Sequence, residues 1–212
     1  MPLGAHVHHD SRSWDYQAEL APELVSVRHF AHGLPFNQAK VGSCTAEALT
    51  GACNTNPNIE PGNVPYAQQM AITLYIKEST NEGYPYPAYD PGGSGLAVCQ
   101  AGVQLGMISS YTHAFGAQNA LLALVLRPII SGFNWYDSMD TPDENGIVDI
   151  PATARVRGRH ETMGHMLDVP NEVIWFWNSW GRDWGMGGRY GMRFATYERL
   201  LSEQGDATVP MI

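Results

Sequence analysis

Residues 43–53 carry small and apolar side chains at helical spacing, after an irregular, extended lead-in over residues 1–37. Ser43 stands where an N-cap belongs, and Glu47 falls in the first turn, where negative charge suits the helix dipole. A loop rich in Asn, Pro and Gly follows over 54–63, and Pro65 opens a second predicted helix through Lys77, with Met70, Leu74 and Lys77 along one side. Residues 83–95 are dense in Gly, Pro and Tyr and read as loop. A third helix is predicted over 94–105, ending at Gly106, and a short fourth over 118–124. From Pro128 the pattern changes to strands, predicted over 129–136, 154–168, 173–180 and 189–194. A helical first half thus precedes a β-rich second half with no internal repeat, which makes the class α+β.

Composition narrows the partners. With 12 basic against 21 acidic residues the formal charge is -9, which argues against a nucleic-acid partner, since binding one needs a clustered basic face. Arg155, Arg157 and Arg159 alternate as one solvated face of a strand would. The start of the chain lacks the basic and apolar runs of a secretory signal, and the longest apolar stretch, 121–126, is too short for a bilayer. Three cysteines make no disulfide framework, so a reducing compartment is expected, with Cys53 and Cys99 as small buried apolar residues. His6, His8, His9 and Asp10 read as a flexible polar terminus, His113 and His165 as core histidines, and no zinc spacing exists. No metal and no cofactor is expected. Gly92-Gly93-Ser94-Gly95 fits neither a nucleophile elbow nor a phosphate loop, and Trp175, Phe176 and Trp177 read as strand packing.

The chemistry sits in four residues. Asp168-Val169-Pro170-Asn171 is a turn between two strand-like runs, and folding about it brings His160 roughly opposite Asn178. A carboxamide beside an imidazole fixes the ring's tautomer and direction. Strand alternation sends His165 to the other face. Cys44 opens a helix, where free amides and the dipole favour a thiolate, and a protonated imidazole beside it would lower the thiol further. The Cys44 amide and the Gln38 side chain can donate to a developing oxyanion. Nucleophile, base, orienter and oxyanion donors are the parts of acyl transfer.

Three segments in this order resemble the papain family of cysteine peptidases: Gln38…Gly42-Ser43-Cys44-Thr45-Ala46, Gly158-Arg159-His160, and Asn178-Ser179-Trp180-Gly181…Trp184-Gly185…Gly188…Tyr190. The resemblance runs from about residue 12 to about residue 205. It implies one peptidase domain over 1–212 with two lobes, a mainly helical one over 38–125 and a mainly β one over 126–212, joined by the N-terminal segment. It implies a cleft between the lobes, Trp180 shielding the His160–Asn178 bond, and Gly92 and Gly93 lining the substrate cleft. Thr45 replaces the family's aromatic residue, Val41 its disulfide cysteine, and Glu161 a small residue after the histidine. The 43 residues before Cys44 leave no room for a helical inhibitory propeptide, which argues against control by zymogen cleavage. The implied activity is hydrolysis of a peptide or protein substrate by a thiol protease; a monomer is the default expectation, and the cysteine count favours the reducing cytoplasm. Alternatives are a lytic endopeptidase acting on peptidoglycan stem peptides and released by lysis, or a silent papain-like binding module; no membrane is expected as partner.

Overall fold

A computed structural model describes residues 1–212. In chain order the elements are β1 (Val27–Arg28), α1 (Cys44–Cys53), α2 (Gln68–Asn81), α3 (Gly95–Gln104), β2 (Ser110–His113), α4 (Ala117–Leu126), β3 (Ile129–Tyr136), β4 (Val156–Asp168), β5 (Val173–Trp177), β6 (Arg189–Arg193), α5 (Phe194–Ser202) and β7 (Asp206–Met211). The strands form one antiparallel sheet of order β2-β7-β3-β4-β5-β6, with β1 paired to β4. The fold is therefore α+β.

All ten residues of α1 are buried. Its Ala, Gly, Thr and Cys side chains are small enough for α2, α3 and β4 to pack close on several sides. Gly102 of α3 shows how close: a Cβ there would lie 2.8 Å from Leu49 Cδ2. These helices share a cluster of 14 buried residues that also takes Ile130 and Met163 from the sheet. A second cluster, of 22, lies under the other face of the sheet, between β3–β6, α4 and α5. Although it falls in the helical half of the sequence, α4 packs in this second cluster.

Element boundaries moved where side-chain chemistry intervened. α2 begins at Gln68 rather than at Pro65 and runs to Asn81. Ser43 stands at the N-cap but makes no capping bond, because its hydroxyl donates to Glu47 instead (3.3 Å). Ser94, by contrast, does cap α3. β5 stops at Trp177, and beyond it Asn178 N–H donates to the Gly188 carbonyl. Four elements were not foreseen: β1, β2, α5 and β7. Proline argues against an interior strand, yet Pro210 lies opposite Tyr111 of β2, past the last β3 pairing at Thr208, where no donor is required of it.

Candidate active site

β4 presents His160, and the chain beyond β5 presents Asn178. The register pairs Met163 with Trp177 across a bulge at Gly164/Met166, so Asn178 lies past the end of the ladder rather than directly opposite His160. Its side chain still reaches the ring: His160 Nε2 lies 2.7 Å from Asn178 Oδ1. The same oxygen accepts the Ser179 N–H at 2.7 Å, which orients the carboxamide. An accepting oxygen there puts the proton on Nε2 and leaves a lone pair on Nδ1, which has no hydrogen-bond partner. Trp180 stacks on the imidazole at 4.8 Å and 25°, and Trp135 meets it edge-on at 5.1 Å. Burial pushes the His160 pKa down to about 4, with the Asn178 bond working the other way.

Cys44 is the first residue of α1, so its N–H has no intrahelical acceptor. α1 packs on β4, and the amide of Glu161, the residue after His160, lies near enough to the sulfur to ease the rise of its pKa, which puts the helix tip beside the ring. Gln38 is held nearby. Its N–H donates to the Ser179 carbonyl (2.9 Å), its Oε1 accepts from Ser179 Oγ (2.6 Å), and its Nε2 donates one hydrogen to the Val41 carbonyl (2.7 Å). Ser179 thus ties Gln38 to the residue that orients the histidine. The four sequence candidates lie in one neighbourhood.

The cleft is closed by the chain's own N-terminus. Gly4 is buried: its carbonyl accepts from Gly93 N–H (2.6 Å), and its Cα packs against Gly42, two residues before Cys44. Ala5 N–H donates to the Arg159 carbonyl (3.2 Å), and His6 N–H to the Gly93 carbonyl (2.8 Å). Ala5 and Gly93 form a parallel bridge. Gly93 thus holds residues 4–6 by its backbone, with Gly92 packed against Gly4. His6 adds a contact to Glu82 at 3.1 Å. Cys44 and His160 both have 0% exposure as a result.

No protein-family model matches the chain, and no curated protein matches its sequence. Among solved structures, xylellain, a cysteine protease from Xylella fastidiosa, shares 16% identity over 99% of this chain and 95% of its own, at a TM-score of 0.73. The fold is papain-like. The proform of the ragweed pollen cysteine protease Amb a 11 aligns at a TM-score of 0.59 and 16% identity, covering 84% of this chain and 61% of its own. Bromelain from Ananas comosus, solved with the E64 inhibitor, aligns at 0.52 and 15%, covering 86% and 94%. No helix of this papain-like chain is long and apolar enough to cross a membrane.

Several expectations are corrected within the papain-like frame. Helix tip and imidazole were expected to lower the Cys44 thiol. Burial instead pushes it up, and Glu161 and Glu78 add to the rise. The N-terminal histidines were read as flexible, but the backbone is pinned from Gly4 to His6. Residues 4–6 occupy the groove, a cover over the site that the sequence reading did not foresee. Arg159 was read as solvated, but its side chain is 12% exposed and donates to Gln204 O (2.9 Å) and Asn134 Oδ1 (3.3 Å). His165 is buried against Trp177, with Nδ1 facing the His29 carbonyl at 3.3 Å.

Supporting residues escaped the sequence reading. Asp90 accepts from Gly42 N–H (3.0 Å) and from the Tyr75 hydroxyl (2.5 Å), which in turn accepts from Gly92 N–H (3.0 Å). Buried Glu78 accepts from Thr45 Oγ1 (2.7 Å) and Ser94 N–H (3.1 Å), and burial raises its pKa to about 8. Both acids brace the glycine strand against α1. The one visible signal was an acid inside an otherwise helical stretch, which on a surface helix means only solvent exposure.

Proposed function

We propose that the chain is a cysteine peptidase that cleaves peptide bonds through a thioester acyl-enzyme. Cys44 passes its proton to His160 Nδ1, and the thiolate attacks the carbonyl carbon of the scissile bond. The Cys44 amide and the second Nε2 hydrogen of Gln38 receive the oxyanion. The imidazolium returns its proton to the leaving amine as the C–N bond breaks. Water then attacks the thioester, giving its proton to Nδ1, and the thiol is regenerated with release of the acid. Asn178 holds the ring throughout. The observation that carries the reading is the unpartnered Nδ1 of a histidine whose Nε2 is fixed by Asn178, beside a helix tip bearing Cys44.

One observation favours a second reading, a silent papain-like module: the groove is filled and the thiol is held neutral by burial. Treatment with an epoxide-type thiol reagent near neutral pH, followed by peptide mapping, separates the two. A peptidase gives a single modification at Cys44 and loses all turnover of a casein or peptidoglycan-peptide substrate in Cys44→Ala. Turnover retained in Cys44→Ala, or absence of modification at Cys44 even after residues 4–6 are displaced, overturns the assignment.

A further inference from the structure

Glu47 is a buried acid that the reaction does not use. It is 2% exposed and follows Cys44 by three residues, so the two share one face of α1. Only half of its carboxyl is satisfied. Oε1 accepts from Ser43 Oγ (3.3 Å) and from Gln68 Nε2 of α2 (2.6 Å), while the buried Oε2 has no partner. Gln68 is held in turn by the Asn37 N–H, which donates to its Oε1 (2.8 Å). A buried carboxyl oxygen left unpaired costs stability unless another polar group answers it.

That answer lies across a small cavity between α1 and the sheet. Its volume is about 10 Å³, close to the least space that admits one water. Glu47, Trp177 and Asn178 all stand on its wall, and each has one unpartnered buried polar atom: Glu47 Oε2, Trp177 Nε1 and Asn178 Nδ2. Two N–H donors and one carboxyl oxygen can be joined by a single water, and three bonds is the usual number for a buried one. Leu34 and Phe36 close the wall with apolar surface, and α2 faces the acid only with neutral Gln68. The other titratable group on the wall, Glu161 of β4, turns its carboxyl toward Gly95 and Gly132 instead. Nδ2 is the end of the carboxamide that decides direction. Oδ1 already accepts from His160 Nε2 and the Ser179 N–H. A hold on Nδ2 fixes the amide plane as well, and prevents the half-turn that would offer His160 an N–H in place of an acceptor. After such a turn the ring proton would sit on Nδ1, where the thiol proton has to go.

We propose that Glu47 positions Asn178, and through it His160, by way of one water enclosed between Glu47 Oε2 and Asn178 Nδ2. The effect on turnover rests on the peptidase reading, whereas the hold on the imidazole is measured without it. The His160 Nε2–H proton resonance of the full-length protein, assigned by its change in Asn178→Ala, reports that hold. Glu47→Met, a near-isostere without the carboxyl, should displace this resonance and broaden it by faster exchange. Glu47→Gln, which mimics the protonated acid, should leave it in place at neutral pH. Burial raises the Glu47 carboxyl to about 8, so the wild-type resonance should step near that pH. Glu47→Gln should abolish the step while leaving Glu161 free to titrate, and this arm holds even if Glu47→Met fails to fold. Where peptides are turned over, Glu47→Met should lower kcat about tenfold with KM within about twofold, and Glu47→Gln should restore kcat to within about threefold. A merely structural role would lower the melting temperature and leave the resonance where it is. An unmoved resonance or undiminished kcat in folded Glu47→Met overturns the proposal. So does Glu47→Gln displaced as far as Glu47→Met, and so does a step absent from the wild type or persisting in Glu47→Gln. If no peptide is turned over while the resonance responds as described, the peptidase reading fails and the hold of Glu47 on His160 stands.

Discussion

His160 depends on its neighbours for direction. One hydrogen bond donated to Asn178 Oδ1 sets its tautomer, one stacked indole from Trp180 sets its plane, and Nδ1 is left with a lone pair. Removing the orienter should leave the nucleophile present but misaligned. Asn178→Ala is expected to lower kcat/KM by about 10²-fold in steady-state peptide assays, since misplacement by about an ångström costs that much. Gln38→Ala is expected to lower kcat by about 10²-fold with little change in KM, because its free N–H meets the oxyanion only as charge develops. An equal rise in KM would show that Gln38 holds the ground state instead. His160 and Asn178 were legible in sequence because a hairpin turn fixes their approximate spacing. The thiol's upward shift was not, since it comes from burial among segments far apart in sequence, with Glu161 and Glu78 adding to it.

The lid over the site, residues 4–6, is a short extended segment whose fit depends on having no side chain at one point. A Cβ on Gly4 would fall 2.1 Å from the Gly42 carbonyl oxygen, and one on Gly92, at φ 85°, would fall 2.0 Å from the Gly4 carbonyl oxygen. Neither neighbour is a flexible side-chain end, so the backbone must move. Gly4→Val should therefore unseat residues 4–6 and speed alkylation of Cys44 by about ten- to a hundredfold, the range that an overpacking cost of 1–3 kcal/mol implies. An unchanged rate of modification, followed by mass spectrometry, would show that the segment does not guard the sulfur.

At the scale of the molecule, closing the cleft buries titratable groups on both sides of neutrality. Burial lifts Glu47 and Glu78 to about 8 and lowers His160 and His165 to about 4 and 3. The folded carboxyls keep protons that the unfolded chain has released, so raising the pH toward 8 favours unfolding. The histidines act oppositely: their unfolded forms take up protons as pH falls below about 6.5, so acid down to about 4 also favours unfolding. Between about 6.5 and 8 the histidines are neutral in both states, and only the acids contribute. The melting temperature should thus fall from pH 6.5 to pH 8.5. Glu78→Gln should flatten that slope in scanning calorimetry, and a slope unaltered by the variant would remove Glu78 from the account.

Local pattern was enough for much of this protein. The α1, α3 and β3 segments, the hairpin that carries His160, and the order Gln38, Cys44, His160, Asn178 are written in periodicity, turn residues and spacing, which act over a few neighbours. What the tertiary structure alone decided depends on chain segments far apart. The N-terminus lies along Gly92 and Gly93, next to the buried thiol. Glu78 and Asp90 turn inward to brace that stretch, and Glu161 meets Asp206 across Gly132. Burial of a charge or a thiol is set by whatever packs over it, and no local pattern encodes a cover that comes from another part of the chain.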